Sequence, residues 1–176
     1  DRAYYDIAQK PKFEARFGNL WVGKHPTPLQ GAYQILSLDF SRVSGQADRL
    51  AINFNNYCCG ALDDFAFVYE AYYYPGFKQE MKEQPDATTK INFLDRQARN
   101  CGARLYLIID EYDNFTNVVL NEQGDEAYHS LTHASGFYRD VFKMFKGMFE
   151  RIFMTGVSPV TLDDLTSGFN IGWNIS

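Results

Sequence analysis

The chain has 176 residues, 45% of them hydrophobic and 22% charged, so it is long enough for one globular domain with a substantial core. Its formal net charge of −5 argues against direct nucleic-acid binding by this segment, because contact with phosphates needs clustered Lys and Arg. No apolar run approaches the ~20 residues that cross a bilayer, and the first residues lack the layout of a signal peptide. These features predict a cytoplasmic protein without membrane contact.

The chain begins with a segment that we expect to continue from residues further upstream. It has no initiating Met, and Tyr4, Tyr5 and Ile7 resemble the tail of a helix that is already under way. A short helix is predicted around residues 12–17. Residues 18–31 are predicted to be irregular because they include two prolines and three glycines.

Two strands and two helices are predicted in the middle of the chain. The β-prone run 34–41 contains the first strand. Apolar residues in steps of three and four predict a long amphipathic helix over 50–72, and a second helix over 86–102 has Asp86 as its N-cap. The continuous apolar run 104–109 is typical of a central parallel strand that is covered on both faces.

The last third of the chain repeats this alternation of helix and strand. Helical spacing predicts a helix over 137–148, followed by a strand over 151–155 and a short helix near 161–166. Strands that alternate with helices form parallel sheets with right-handed crossovers. The sequence therefore predicts one α/β domain spanning residues 1–176.

Polar residues follow each predicted strand at its carboxyl end, where parallel α/β sheets bind ligands. They are Asp39, the pair Asp110 and Glu111, and Thr155 with Ser158. If the strands are parallel neighbours, these residues share one edge of the sheet. An apolar run followed by Asp-Glu is the Walker B pattern, in which the Asp holds the Mg²⁺ of a bound nucleotide and the Glu polarises the attacking water. The later Thr-Gly-x-Ser matches the sensor position, where a hydroxyl or amide contacts the γ-phosphate or its attacking water.

A second pattern resembles the phosphate-binding loop G-x-x-x-x-G-K followed by Ser or Thr. Gly18, Gly23 and Lys24 have the required spacing, but His25 replaces the hydroxyl residue and prolines follow directly. No strand is predicted before it, and a phosphate loop joins a strand to the N-terminus of a helix. We therefore interpret the spacing as coincidental.

Two further clusters are weak candidates for chemistry. His129 and His133 are spaced i, i+4, which would place two imidazoles on one face of a helix, but no further metal ligand has an obvious place. Cys58 and Cys59 lack C-x-x-C spacing and lie within the predicted long helix. Packing is the favoured role of both cysteines.

Three segments carry a resemblance to a known family. They are FGNLWVGKHPTP at 17–28, LYLIIDEYDNF at 105–115 and FMTGVSPVTLDDLTSGFNI at 153–171. On these motifs the chain resembles the bacterial AAA-ATPase-like family over nearly its whole length. In that family the segment 17–28 precedes the second strand and is not a phosphate loop.

The resemblance implies a P-loop NTPase-like three-layer core that is truncated at its N-terminus. Strand 104–111 matches the Walker B strand with Asp110 and Glu111, and strand 151–158 matches the sensor strand with Thr155 or Ser158. Family members carry a Walker A segment, R-P-R-R-F-G-K-S, shortly upstream, and a PD-(D/E)XK nuclease-like domain usually follows. The implied ligands are ATP and Mg²⁺, bound through the missing N-terminal segment, and we expect the present fragment alone to be inactive.

Two other functions remain open at this stage. The domain could keep the P-loop scaffold but serve as a protein-interaction or regulatory module through its aromatic surface. Alternatively, Asp39, Asp110, Glu111 and Asp113 could form a metal-dependent nuclease site, although no lysine lies at the spacing such chemistry uses.

The absence of the phosphate-loop strand has a structural consequence for the sheet. We expect that strand to lie between the strands ending at Asp110 and Thr155, or beside them. Its removal would expose an apolar sheet edge, which predicts self-association.

Overall fold

The structure is a computed structural model and describes residues 2–43, 47–114 and 137–157. Three parallel strands and seven α-helices lie in these ranges. In chain order they are α1 (Arg2–Tyr5), α2 (Phe13–Phe17), α3 (Trp21–Lys24), β1 (Gln34–Asp39), α4 (Ala47–Tyr69), α5 (Phe77–Glu83), α6 (Ala87–Cys101), β2 (Leu105–Asp110), α7 (Phe137–Met148) and β3 (Arg151–Met154), with 3₁₀ turns at Ile7–Lys12, Phe40–Arg42 and Glu70–Tyr72.

The strands form one parallel sheet in the order β1-β2-β3. Asp39 is the register partner of Asp110, and Ile109 is the partner of Met154. The predicted α/β class is therefore confirmed. β2 and β3 pair directly. Of the two positions expected for the phosphate-loop strand, the one between them is therefore excluded, and the position beside them stays a prediction.

One face of the sheet holds the main core. Leu36 and Leu38 of β1, with Leu105, Leu107 and Ile109 of β2, are all buried in a cluster with apolar side chains of α4, α6 and α7. Burial of such side chains contributes about 1.5–3 kcal/mol each. The layer of long helices on this face fixes the orientation of the strands.

The opposite face is covered only in its amino-terminal half by the residues that the structure describes. Tyr33, Ile35 and Tyr106 form a second buried cluster there, against which Tyr5 and Leu29 of the N-terminal segment pack. Towards the carboxyl end of the strands, Ser37 and Asp110 are exposed.

Local sequence signals explain the ends of the predicted helices. Asp86 caps α6 by accepting the Thr89 N–H at 2.8 Å, and the Thr89 hydroxyl accepts the Asp86 N–H in return. Gly102 ends the helix with φ of 68°, a left-handed conformation that glycine adopts without strain. The predictions for both long helices, for α7 and for all three strands are confirmed with small shifts of their ends.

Two helices were not predicted. α5 follows Pro75-Gly76, and α3 lies within the segment 18–31 that was expected to be irregular. The predicted helix at 161–166, the pair His129 and His133, and Ser158 lie outside the described residues.

The outer edge of β1 is partly capped by tyrosine hydroxyls from α4. The Ile35 N–H donates to the Tyr69 hydroxyl at 2.8 Å, and the Asp39 N–H donates to the Tyr57 hydroxyl at 2.6 Å. Such capping shields an edge strand from pairing with another chain. None of the helices in the described ranges is both long and apolar enough to span a bilayer.

Candidate functional site

The carboxyl ends of the three strands bring Asp39, Asp110 and Thr155 to one edge of the sheet. Asp39 and Asp110 are register partners on adjacent strands, and Thr155 directly follows β3. The Thr155 N–H donates to the Ile109 carbonyl at 2.9 Å, and its hydroxyl donates to the Asp110 carboxylate. The parallel arrangement thus places these predicted residues together, as expected from strand direction.

Asp110 is the most accessible acidic residue of this edge. Its side chain is exposed, and the same oxygen that accepts the Thr155 hydroxyl also accepts the Glu111 N–H at 3.1 Å. A carboxylate in this position is available to a hard cation, since Mg²⁺ prefers oxygen ligands.

Glu111 has an unusual backbone conformation. Its φ is +53°, and it is the one non-glycine residue with positive φ within the described part of the chain. The left-handed region costs roughly 1–2 kcal/mol for a residue with a Cβ, and such strain clusters at functional sites. The half-buried side chain of Glu111 is therefore held beside Asp110 at a cost to stability.

Asp39 has a structural role in addition to its place at the edge. One oxygen of its carboxylate accepts the Ser41 N–H at 3.1 Å and the Ser41 hydroxyl at 2.6 Å, which caps the 3₁₀ turn Phe40–Arg42. Its own N–H donates to the Tyr57 hydroxyl, whose pKa is raised because the group is partly buried. A role in nucleotide binding remains a prediction for this residue.

The acidic residues of this edge form no ion pair with the described residues, although Arg2 and Arg42 line the adjoining groove. Within 2–43, 47–114 and 137–157, no Lys or Arg forms an ion pair with Asp39, Asp110 or Glu111. In the same ranges, no three His, Cys, Asp or Glu residues are grouped closely enough to hold a metal ion by themselves. The arrangement therefore fits a cation held by one or two carboxylates with oxygens from a ligand, as is usual for Mg²⁺.

A groove of about 580 Å³ runs along the outer edge of β1 and reaches this site. Ser37, Asp39 and Asp110 line one side, and Tyr57 and Asp64 of α4 line the other. Its size is within the range of about 300–1,000 Å³ that small-molecule sites occupy.

The turn after β2 contains functional candidates that the sequence analysis did not single out for this role. The Tyr112 N–H donates to the Thr155 carbonyl at 3.0 Å, and the buried Asp113 carboxylate accepts the Val157 N–H at 3.0 Å. On the other side, the Asn114 amide donates to the Phe40 carbonyl at 3.3 Å. The polar residues of the motif D-E-Y-D-N were visible in the sequence. Their contacts could not be predicted from it, because they depend on which strands are neighbours in the sheet.

The loop-like spacing Gly18 to Lys24 does not form a phosphate-binding loop. It lies in the α2–α3 hairpin, where the Gly18, Gly23 and Lys24 N–H groups donate to carbonyls of the same hairpin. A Cβ added at Gly23 would lie 1.8 Å from the Phe17 carbonyl oxygen, so this glycine is explained by close backbone contact. The interpretation of the spacing as coincidental agrees with this geometry.

The three-stranded parallel sheet with helices packed on one face is compatible with an α/β P-loop-like core. A family model described as "Predicted AAA-ATPase" matches residues 2–166, and the chain belongs to this AAA-ATPase-like family. Comparisons with curated proteins and with solved structures gave no match.

Proposed function

We propose that this chain supplies the Walker B and sensor strands of a module that binds and hydrolyses ATP. The observation that carries the proposal is the hydrogen bond between Thr155 and Asp110 at the ends of two adjacent parallel strands. In a chain of the AAA-ATPase-like family, this contact joins the two elements that act on the terminal phosphate and its metal ion.

The residues present fit a magnesium nucleotide. Asp110 is exposed and paired with no cation of the described ranges, so its carboxylate can hold Mg²⁺ directly or through water. When bound, Mg²⁺ neutralises charge that develops on the phosphates. Glu111 orients and polarises the attacking water, and Thr155 binds on the γ-phosphate side of the site. Ser158 and Asp39 are proposed as further contacts to the nucleotide.

None of the described residues forms a phosphate-binding loop. We propose that the parent protein provides it from sequence N-terminal to this chain, on a strand that adds to the outer edge of β3. That edge has no strand partner within the described residues. The chain by itself is then expected to self-associate and to bind nucleotide weakly. In the parent, hydrolysis would drive an attached effector such as a nuclease-like domain.

Calorimetric titration with Mg·ATP tests the proposal. The samples are the full-length protein, the present chain, and full-length Glu111→Gln and Glu150→Gln variants. We expect binding by the full-length protein, little binding by the present chain, and loss of hydrolysis with retained binding in Glu111→Gln. Glu150→Gln makes the same chemical change at the opposite end of the sheet, where it should leave hydrolysis unchanged.

Failure of every sample to bind would contradict the ATPase proposal. The remaining function would then be a P-loop-shaped interaction or regulatory module. The nuclease alternative is weakened by Asp113, because its carboxylate is buried and accepts the Val157 N–H, whereas Asp110 is exposed. Mg²⁺-dependent cleavage of nucleic acid by this chain would be needed to restore it.

A further inference from the structure

The turn Glu111–Asn114 joins the segments that follow all three strands. Its backbone contacts the β3 segment through Tyr112, its Asp113 carboxylate contacts the same segment, and its Asn114 amide contacts the β1 segment. The Asn114 N–H also donates to the Glu111 carbonyl at 3.0 Å, which closes the turn on itself. The turn therefore fixes the relative positions of the three strand ends.

Asp113 is the buried member of this turn. Its side chain is only 1% exposed, and one carboxylate oxygen accepts the Val157 N–H at 3.0 Å. Hydrogen bonds that involve an ionised carboxylate are about twice as strong as neutral ones. Because the Val157 side chain is 84% exposed, the segment is held here by hydrogen bonds and not by apolar burial.

Gly156 shows how closely the two segments approach. A Cβ at this position would lie 2.4 Å from Tyr112 Cε1 and 2.6 Å from Asp113 Oδ1. Real Cβ atoms essentially never come this close, so a larger residue at 156 would require the Tyr112 and Asp113 side chains to shift. The residues before and after Gly156 are both bonded to the turn, Thr155 through its carbonyl and Val157 through its N–H. These bonds place Thr155 opposite Asp110.

We propose that Asp113 is a positioning residue for hydrolysis. By holding the Val157 N–H it fixes the segment 155–157, and this keeps the Thr155 hydroxyl on the Asp110 carboxylate. The inference rests on the proposed ATPase function and extends it to a residue outside the Asp-Glu pair. Because Asp113 is only 1% exposed, we assign it no direct contact with the nucleotide.

Steady-state ATP hydrolysis by the full-length protein tests this role, with Asp113→Ala and Asp113→Asn variants. Removal of the carboxylate should lower kcat by on the order of 10- to 100-fold, because small misplacements of reacting groups have effects of this size. KM for Mg·ATP should stay within about threefold, since nucleotide binding depends mainly on phosphate contacts elsewhere. Asparagine keeps an oxygen acceptor and should restore most of kcat.

Lys90→Met is the matched control for general destabilisation. Lys90 is also charged and buried, at 3% exposure, but it lies between α4, α5 and α6 and contacts Asp63 and the Met81 carbonyl. We expect both Lys90→Met and Asp113→Ala to lower Tm, and only Asp113→Ala to lower kcat at a temperature where both variants are folded. Amide exchange at Val157 should accelerate in Asp113→Ala and not in Lys90→Met.

Four results would overturn the inference. An unchanged kcat in Asp113→Ala beside an active wild type would overturn it alone, as would unchanged exchange at Val157. A fall in kcat of equal size in Lys90→Met would assign the effect to stability. Absence of hydrolysis by the wild type would overturn the proposed function and, with it, this role of Asp113.

Discussion

The two ends of the same three strands differ in whether their charged side chains form ion pairs within the described residues. At the amino-terminal end, Arg104 contacts both oxygens of Glu150, and its guanidinium lies 4.5 Å from the centre of the Tyr33 ring. The Tyr33 hydroxyl donates to Glu150 and accepts from Arg104 and Arg151. At the carboxyl end, Asp39, Asp110 and Glu111 have no cationic partner in the described ranges.

The comparison separates charge that stabilises the fold from charge that is available for binding. The Arg104 hydrogen bonds lower the pKa of Glu150 to about 2, because they favour the ionised carboxylate. The carboxyl end instead places an exposed Asp110 next to a strained Glu111, which the surrounding turn must hold. We infer that the amino-terminal cluster serves stability and that the carboxyl edge retains its charge for a cation and a nucleotide.

Among the predicted effects, the loss of Mg²⁺ affinity in Asp110→Asn, at the carboxyl end of the strands, should be the largest. The substitution removes the carboxylate that we assign to Mg²⁺ while it keeps the shape of the side chain. We expect Mg²⁺ affinity of the full-length protein to fall by on the order of 100-fold in the presence of ATP, with a change in Tm of only a few degrees. Titration with Mg²⁺ measures this effect, and an unchanged Mg²⁺ requirement would contradict the assignment.

Tyr33→Phe, at the amino-terminal end, should instead lower stability and leave hydrolysis unchanged. Loss of its buried hydroxyl removes one donor and one acceptor from the cluster of Glu150, Arg104 and Arg151, which should lower the free energy of unfolding by about 1–3 kcal/mol. Urea denaturation measures the loss. Hydrolysis by the full-length protein should be unchanged, and a fall in kcat would mean that the two ends are coupled.

Glu111→Gly should separate stability from activity at the carboxyl edge itself. Glycine adopts the φ of +53° without strain, so we expect the free energy of unfolding to rise by about 0.5–1 kcal/mol while hydrolysis is lost. Glu111→Ala is the control, because it removes the carboxylate but keeps the Cβ. If both variants have equal stability, backbone strain at Glu111 is absent in solution.

Glu150→Gln should have the smallest effect, and it should depend on pH. The folded-state pKa of about 2 is below the ordinary value of 4.5, so the ionised group contributes stability above pH 4.5 that is lost as the pH falls towards 2. The pair is partly exposed, so its contribution at neutral pH is about 0–1 kcal/mol. Tm of the wild type and the variant should converge between pH 4.5 and 2, and a constant difference would exclude this ion pair as the cause.

The pattern of residues was sufficient to predict most helices and strands and to place the candidate site at the carboxyl ends of the strands. The apolar run before Asp110 predicted a covered central strand, and β2 lies between β1 and β3. The helix that Asp86 begins and Gly102 ends was also predicted, because both residues act through contacts within their own turn. Local signals of this kind need no knowledge of the tertiary structure.

α5 shows why other elements were missed. It has only seven residues, and its two buried apolar side chains, Phe77 and Met81, are too few to establish a helical period. The helix is stabilised from outside by Lys90 of α6, whose ammonium group donates to the Met81 carbonyl at 2.6 Å. A short helix with a carbonyl of its last turn bonded by a side chain from another helix depends on tertiary contact.

The sequence by itself determined where the three strands and the longer helices form and which polar residues follow each strand, because apolar periodicity and capping act over a few neighbouring residues. Only the tertiary structure decided that β2 pairs directly with β3, that Thr155 bonds Asp110, and that Asp113 is buried while Asp110 is exposed. These contacts join residues some forty positions apart in the sequence. They depend on the packing of helices against one face of the sheet, which fixes strand order and therefore which strand ends meet.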